Sequence, residues 1–234
     1  MLIPEVLGKI PWRNGGVSFM KQTAIIVGAG PGLGNHVAEK FGSMGFRVIL
    51  LARREEALKQ YQRELEQKGI ETAWYATDVS DSNSVKETFQ TIHEKYGAAD
   101  VMVYNVGVTT PDKDTKIDTG VLLARYKTDA AGAYSCIREI STEEFAQKHG
   151  TILITGGKLA TQPEFTYLPL SMDKAALRAM VYALHPVLKE KGIHIGMVTV
   201  AGGIKPGTHF APERIAERFL ELYEKRESIE TVYA

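Results

Sequence analysis

The chain has 234 residues, enough for one large α/β domain and short for two. Its 28 Lys plus Arg balance 28 Asp plus Glu, so no net field steers it toward nucleic acid or an anionic membrane. One cysteine, Cys136, excludes an internal disulfide and fits a reducing compartment such as the cytoplasm, and no apolar run nears the ~20 residues of a membrane span.

Residues 1–19 carry apolar Leu2, Ile3, Val6 and Leu7, broken by Pro4, Gly8 and Pro11. They lack the regions of a signal peptide. Met20 stands just ahead of the first apolar run, and Gly15-Gly16 is what a purine-rich ribosome-binding sequence would encode. The expected natural start is therefore Met20, with 1–19 an extension to a single domain over 20–234.

Thr23 to Asn35 reads T-A-I-I-V-G-A-G-P-G-L-G-N. Ala24, Ile25, Ile26 and Val27 form the short apolar run of a buried parallel strand. Gly28, Gly30, Gly32 and Gly34 follow, and Leu33, Val37, Ala38 and Phe41 fall at helical spacing. Strand, glycine turn and helix are the parts of a dinucleotide site, in which backbone N–H groups at the helix N-terminus reach a pyrophosphate. The spacing of Gly28, Gly32 and Gly34, G-x-x-x-G-x-G, resembles the short-chain dehydrogenase/reductase family. Val27 stands where that family has Thr. The resemblance covers residues 22–205. It implies a doubly wound Rossmann fold with a parallel sheet of six or seven strands. It also implies a nicotinamide dinucleotide at Gly28, Gly30, Gly32, Leu33 and Gly34, hydride transfer to or from a small molecule, and a homodimer or homotetramer.

Arg47 to Ala52 reads as the second strand, closed by Arg53 and Arg54. A 2′-phosphate wants arginine where a free ribose hydroxyl wants a carboxylate, so this strand end favours NADP(H) over NAD(H). Glu55 to Lys68 is a charged helix with Leu58, Tyr61 and Leu65 inward. The third strand is Glu71 to Thr77. Asp78-Val79 resembles the family's adenine-contacting pair, and Ser80-Asp81 caps a helix from Ser82 to Tyr96. Strand four, Asp100 to Asn105, ends in Y-N-V-G, similar to the family's N-N-A-G. Asn105 and Gly107 are retained, which implies a close pass by the cofactor, with the Asn side chain tying strands together.

Residues 108–120, with Thr109, Thr110, Pro111, Asp112, Lys113 and Asp114, form a polar pocket rim. A long helical pattern runs from there to His149. Strand five is Thr151 to Thr155, a loop spans 156–169, and a helix runs from Leu170 to Lys191, which His185-Pro186 should kink. Its residues Leu177, Met180, Val181 and Leu184 are read either as an oligomer face or as core. His194 to Val200 is strand six. Gly202 and Ile204 follow where the family's Pro-Gly meets cofactor, and His209 and Phe210 lie where related folds cover substrate. That segment is too short for a long lid. A last helix from Ala211 reaches Arg226, and Thr231 to Tyr233 is a seventh strand. No Cys/His/Asp group has metal-ligand spacing, and no G-x-S-x-G elbow supports a hydrolase.

The family's chemistry uses a tyrosine in Y-x-x-x-K, a serine ending strand five and an asparagine in the preceding helix. Lys174 matches the lysine, which holds the ribose. The tyrosine position is Leu170, the serine position is read as Gly156 and the asparagine position is Asp129. Tyr167 lies seven positions before Lys174, similar to the Y-x6-K pair of the enoyl-thioester reductase branch. Conjugate reduction places hydride remote from the carbonyl, so a displaced tyrosine suits it. Two readings follow: a reductase using Tyr167 and Lys174, or an NADP-binding sensor or subunit without catalysis.

Overall fold

The computed structural model of the chain describes residues 21–112 and 117–234. The expected extension 1–19, the Met20 start and the rim residues Lys113 and Asp114 lie outside the described residues. A seven-stranded parallel sheet runs in the order β3-β2-β1-β4-β5-β6-β7. Its strands are β1 Thr23–Val27, β2 Arg47–Ala52, β3 Thr72–Ala76, β4 Val101–Tyr104, β5 Thr151–Gly157, β6 His194–Val200 and β7 Glu230–Tyr233. Parallel neighbours require crossovers, and helices supply them. These are α1 Leu33–Ser43, α2 Glu55–Glu66, α3 Ser82–Tyr96, α4 Thr119–Tyr126, α5 Gly132–Ile140, α6 Glu143–Gln147, α7 Leu168–Glu190 and α8 Pro212–Lys225.

Alternation along β1 divides the interior. Ala24 and Ile26 pack with Phe41 of α1, Leu58 of α2 and Phe219 of α8. Ile25 and Val27 point the other way, to Phe89 of α3, Cys136 of α5 and Val181 of α7. Strands buried on both faces need apolar residues at every position, which is why they read as unbroken apolar runs. Sheet order reverses at β1, whose neighbours are β2 and β4. The crevice at such a reversal, at the carboxyl ends of the strands, is where open α/β sheets bind ligands.

Three expectations are corrected. The helical pattern up to His149 is not one helix. It is α4, a π-turn at Lys127–Ala131, α5 and α6. The 156–169 loop is shorter than read, because β5 continues to Gly157 and α7 begins at Leu168, with Pro169 inside its first turn. Proline is pre-set for that turn and lacks only an N–H that has no helical partner there. Leu177 and Val181 are core residues and present no outer face, while Met180 and Leu184 are partly buried and pack against that core. Helix α7 runs on through Pro186 to Glu190.

Candidate cofactor and active site

A cleft of about 480 Å³ opens at the carboxyl ends of β1, β2 and β4, lined by Gly28, Ala29, Arg53, Arg54, Val79, Asn105 and Gly107 among others. Gly28 has φ +90°, and a Cβ there would lie 2.7 Å from the carbonyl carbon and oxygen of Asn105. Gly34 packs as tightly: its Cβ would meet the Gly28 carbonyl oxygen and lie 3.2 Å from Ala29 Cα. These two glycines let the β1 turn, the start of α1 and the end of β4 touch. Gly30 and Gly32 have another role. Nothing lies within 4 Å of where their Cβ atoms would be. At the same place α1 begins at N-cap Gly32 with no side-chain cap and no acidic residue in its first turn. Uncapped N–H groups and a helix dipole facing open space suit a pyrophosphate. Leu33 gives this turn only its backbone, since its side chain is in the core.

Arg53 and Arg54 stand at the cleft rim after β2. Val79 lines the cleft, whereas the Asp78 carboxylate accepts hydrogen bonds from the Ser80 N–H at 3.0 Å and the Ser80 hydroxyl at 2.7 Å. Those bonds hold its carboxyl below the usual range.

A hydrogen-bonded chain crosses the strand ends. Asn105 Nδ2 donates to the Gly28 carbonyl at 3.2 Å, and Thr155 Oγ1 donates to Asn105 Oδ1 at 2.9 Å. Lys174 Nζ donates to the Thr155 carbonyl at 2.8 Å. Asn105 thus ties β4 to both β1 and β5. Lys174 is buried, and its Nζ is 3.6 Å from where Gly107 would carry a Cβ. Burial pulls its ammonium below the ordinary lysine value, and Asp129 and Asp173 oppose that.

Asp129 arrives through the π-turn. π-turns often mark functional positions, and this one is anchored by the Tyr104 hydroxyl, which donates to the Thr128 carbonyl at 2.6 Å. Tyr104 occupies the first position of Y-N-V-G. Gly132 lets α5 approach, because a Cβ there would lie 2.8 Å from the Val79 carbonyl oxygen and 2.9 Å from the Tyr104 hydroxyl. Asp129 Oδ2 accepts from the Val108 N–H at 2.9 Å. Burial raises its carboxyl, against that hydrogen bond and the charges of Lys174 and Arg125. Asp173, one residue before the lysine, is also buried, and burial with the nearby Asp129 pushes it up to about 7. Arg125 and Asp112 close the rim as an ion pair at 2.6 Å, and the Asp112 N–H donates to the Thr166 carbonyl at 2.7 Å.

A family model described as short chain dehydrogenase matches residues 22–215. The chain belongs to the short-chain dehydrogenase family. An uncharacterized oxidoreductase of Thermotoga maritima is 28% identical over 182 residues, 78% of this chain and 70% of that protein. A diacetyl reductase, (S)-acetoin forming, of Staphylococcus epidermidis is 28% identical over 177 residues, 75% of this chain and 69% of that protein. Among solved structures, a metagenomic short-chain oxidoreductase in complex with NADP has the same fold at a TM-score of 0.81 and 23% identity, covering 90% of this chain and 96% of that one. An alcohol dehydrogenase of Thermococcus sibiricus complexed with 5-hydroxy-NADP gives 0.80 at 22% identity, covering 91% and 95%.

Leu170 is a buried apolar side chain. The two glycines that end β5 differ in what they face. A Cβ on Gly156 would point at Thr199 Oγ1 (2.5 Å) and Met197 Sδ (2.7 Å), on neighbouring β6. A Cβ on Gly157 would instead face the Lys174 side chain, 3.8 Å from its Cγ, so Gly157 is the residue beside the lysine. Tyr167 is the half-buried N-cap of α7. It stands just outside the helix, with φ −127° and ψ 37°, seven residues before Lys174. Gly202 accommodates the ring of Phe210, and Ile204 is exposed. His209 stacks on Tyr233 at 4.9 Å, so His209 and Phe210 brace the chain end. His185 bonds the Ile195 carbonyl at 3.1 Å. Cys136 is fully buried, and burial pushes its thiol up. Asp173 was not found from sequence, because one aspartate before a lysine on a helix carries no sign of burial. No helix among the described residues is long and apolar enough to cross a membrane.

Proposed function

We propose that the protein is an NADP(H)-dependent oxidoreductase that reduces a small carbonyl or enoyl substrate. The observation that carries this is the buried Lys174, its Nζ beside Gly107 in a cleft whose glycines leave an uncapped helix N-terminus open. Gly28 to Gly34 would seat the pyrophosphate, Arg53 and Arg54 the 2′-phosphate, and Lys174 the nicotinamide ribose. Val79, Asn105 and Gly107 shape the walls, with Asp78 and the Gly202–Ile204 segment at the margins. Bound there, NADPH would supply a hydride to the substrate carbon. Tyr167, the N-cap of the lysine's helix, would donate the proton to the substrate oxygen. The NADP and NADPH complexes among the structural neighbours and the diacetyl reductase relatives support the cofactor and the carbonyl class.

A second reading has a specific observation behind it: Leu170, four residues before Lys174, and the glycines that end β5, Gly156 and Gly157, have no proton to give. On that reading the chain binds NADP(H) as a sensor or partner subunit. A homodimer or homotetramer in the cytoplasm accompanies either reading, in keeping with the exposed Tyr182, Val187 and Val232 and the reduced, buried Cys136.

The test is NADPH fluorescence titration followed by NADPH consumption with enoyl thioesters, quinones and small diketones. Turnover that falls at least about a hundredfold in Tyr167→Phe, as expected of a general acid, supports the reductase. Tight binding without turnover on any of these supports the sensor. Absence of nucleotide binding rejects both.

A further inference from the structure

Tyr61 lies on the inward face of α2 between Leu58 and Leu65, and all three belong to one core cluster. The residue is 8% exposed, and it also lines the cofactor cleft beside Arg53, Arg54 and Ala57. Packing alone would be met by a leucine, as at 58 and 65. A buried tyrosine hydroxyl normally finds a hydrogen-bond partner. The Tyr61 hydroxyl has none among the described residues, while its neighbours are committed. Lys59 Nζ donates to Glu56 at 2.9 Å, and the Gln60 and Gln62 amides donate to Glu64 and Glu66 at 2.8 Å. A donor carried on a buried ring to the wall of a cleft, with no group of the chain to bond, points to a ligand.

Helix geometry gives that hydroxyl a direction. Side chains on a helix lean toward its N-terminus, and residues four apart stack on one face. Tyr61 therefore extends back over Ala57, toward the turn where Arg53 follows β2 and Arg54 is the N-cap of α2. The cleft wall that Tyr61 shares with Ala57 and the two arginines agrees with this direction. The start of α2 has no side-chain cap, so its first N–H groups add to the donors there. The two carboxylates of its first turn, Glu55 and Glu56, would repel a phosphate, but both are paired with Lys59, at 2.8 and 2.9 Å.

We infer that the Tyr61 hydroxyl donates a hydrogen bond to the 2′-phosphate of NADP(H) and, with Arg53 and Arg54, sets the preference over NAD(H). This rests on the NADP(H) reading above and adds to it a specificity-determining residue that reaches the site from the core. The arginines supply charge on long, mobile stems. A phenol on a buried ring has little rotamer freedom left to lose on binding, so it supplies a fixed point for the phosphate. NAD(H) has a hydroxyl in place of that phosphate and gains nothing from the charge-assisted bond.

The test needs no substrate. Tyr61→Phe removes the hydroxyl and keeps the ring. NADPH and NADH are titrated by nucleotide fluorescence against the unaltered full chain and the variant. Adenosine 2′,5′-bisphosphate, which carries the phosphate and no nicotinamide, is titrated by calorimetry. NADPH and the bisphosphate should each bind at least about tenfold more weakly to Tyr61→Phe, the worth of one hydrogen bond to a charged group, with NADH changed by less than about twofold. The hydroxyl has no partner in the described chain, so the variant should keep its Tm. Tyr61→Leu gives the same comparison if the first variant does not fold. NADPH affinity that is unchanged in a folded variant overturns the inference. So does equal weakening of NADPH and NADH, which would make Tyr61 a contact to the adenosine that both carry. Failure of NADPH to bind the unaltered chain would reject the NADP(H) reading and this inference with it, whereas binding indifferent to Tyr61→Phe removes only the role of Tyr61.

Discussion

Replacing Gly28 and Gly30 separately by alanine should separate the scaffold of the cofactor turn from its binding surface. At Gly28 the backbone has φ +90°, which costs an L-residue about 1–2 kcal/mol. The added methyl would also sit 2.7 Å from the Asn105 carbonyl carbon and oxygen, so the 105–107 segment must move. Overpacking of this kind costs about 1–3 kcal/mol. The displacement also threatens the 3.2 Å hydrogen bond from Asn105 to the Gly28 carbonyl, worth about 1 kcal/mol. Together these destabilise the chain by about 3–6 kcal/mol, or roughly 10–20 °C in Tm for a domain of this size. At Gly30 nothing lies within 4 Å of the new methyl, so stability should stay within about 0.5 kcal/mol. That methyl instead occupies the space over the start of α1, and NADPH affinity should fall at least tenfold, about 1.4 kcal/mol. Urea denaturation and NADPH fluorescence titration read the two quantities. A stable Gly28→Ala chain, or a Gly30→Ala chain that binds NADPH normally, would refute the division of roles.

Arg53→Ala with Arg54→Ala should weaken NADPH by about ten- to a hundredfold and leave NADH nearly unchanged, because charge-assisted bonds to a phosphate are worth about 1.5–3 kcal/mol; parallel titrations check it. Arg125→Ala strands an Asp112 carboxylate whose side chain is 1% exposed and should cost about 3–5 kcal/mol in urea denaturation, whereas Asp112→Asn with Arg125→Met should recover most of it. Gly156→Ser drives its side chain toward Thr199 and Met197 and should lower Tm by several degrees, whereas Gly157→Ser meets only ordinary contact with Lys174 and should not. His194 is the acid-sensitive group. Burial, then His185 and Arg226, lowers it from 6.5 to about 4, so between those values the unfolded chain holds a proton that the folded chain does not. Stability should therefore fall as pH drops from about 6.5 to 4, by up to about 3 kcal/mol. Urea denaturation at pH 7.5, 5 and 4 measures this, and His194→Gln should flatten the slope.

The strands were legible because a strand buried on both faces shows as a plain apolar run, and the glycine turn because its residues are contiguous between a strand and a helix. The place of Lys174 on the helix after strand five was legible too. The break-up of the segment before His149 was not. The π-turn at 127–131 depends on the Tyr104 hydroxyl reaching the Thr128 carbonyl from a strand twenty-four residues away. Which of Gly156 and Gly157 faces Lys174 was not legible, because the two are identical in sequence and differ only in what their faces meet. The ambiguity over Leu177 and Val181 was one of period: an apolar stripe on a helix looks the same whether it faces a sheet or a second subunit, and here it faces the sheet. Asp129 was visible as a changed family position, but its burial beside Asp173 emerges only when α7 docks on the π-turn.

The most direct test of the account is a crystal structure with NADP+ bound, in which the Tyr167 hydroxyl is measured against the nicotinamide ring and Lys174. The account predicts pyrophosphate over Gly30 and Gly32, the 2′-phosphate on Arg53 and Arg54, and Lys174 on the ribose. It places the Tyr167 hydroxyl within about 5 Å of the substrate oxygen position, close to hydrogen-bond reach. A Tyr167 hydroxyl turned away, with only Leu170 and Gly157 before the ring, would contradict a reductase built on that tyrosine and leave a nucleotide-binding protein without this chemistry.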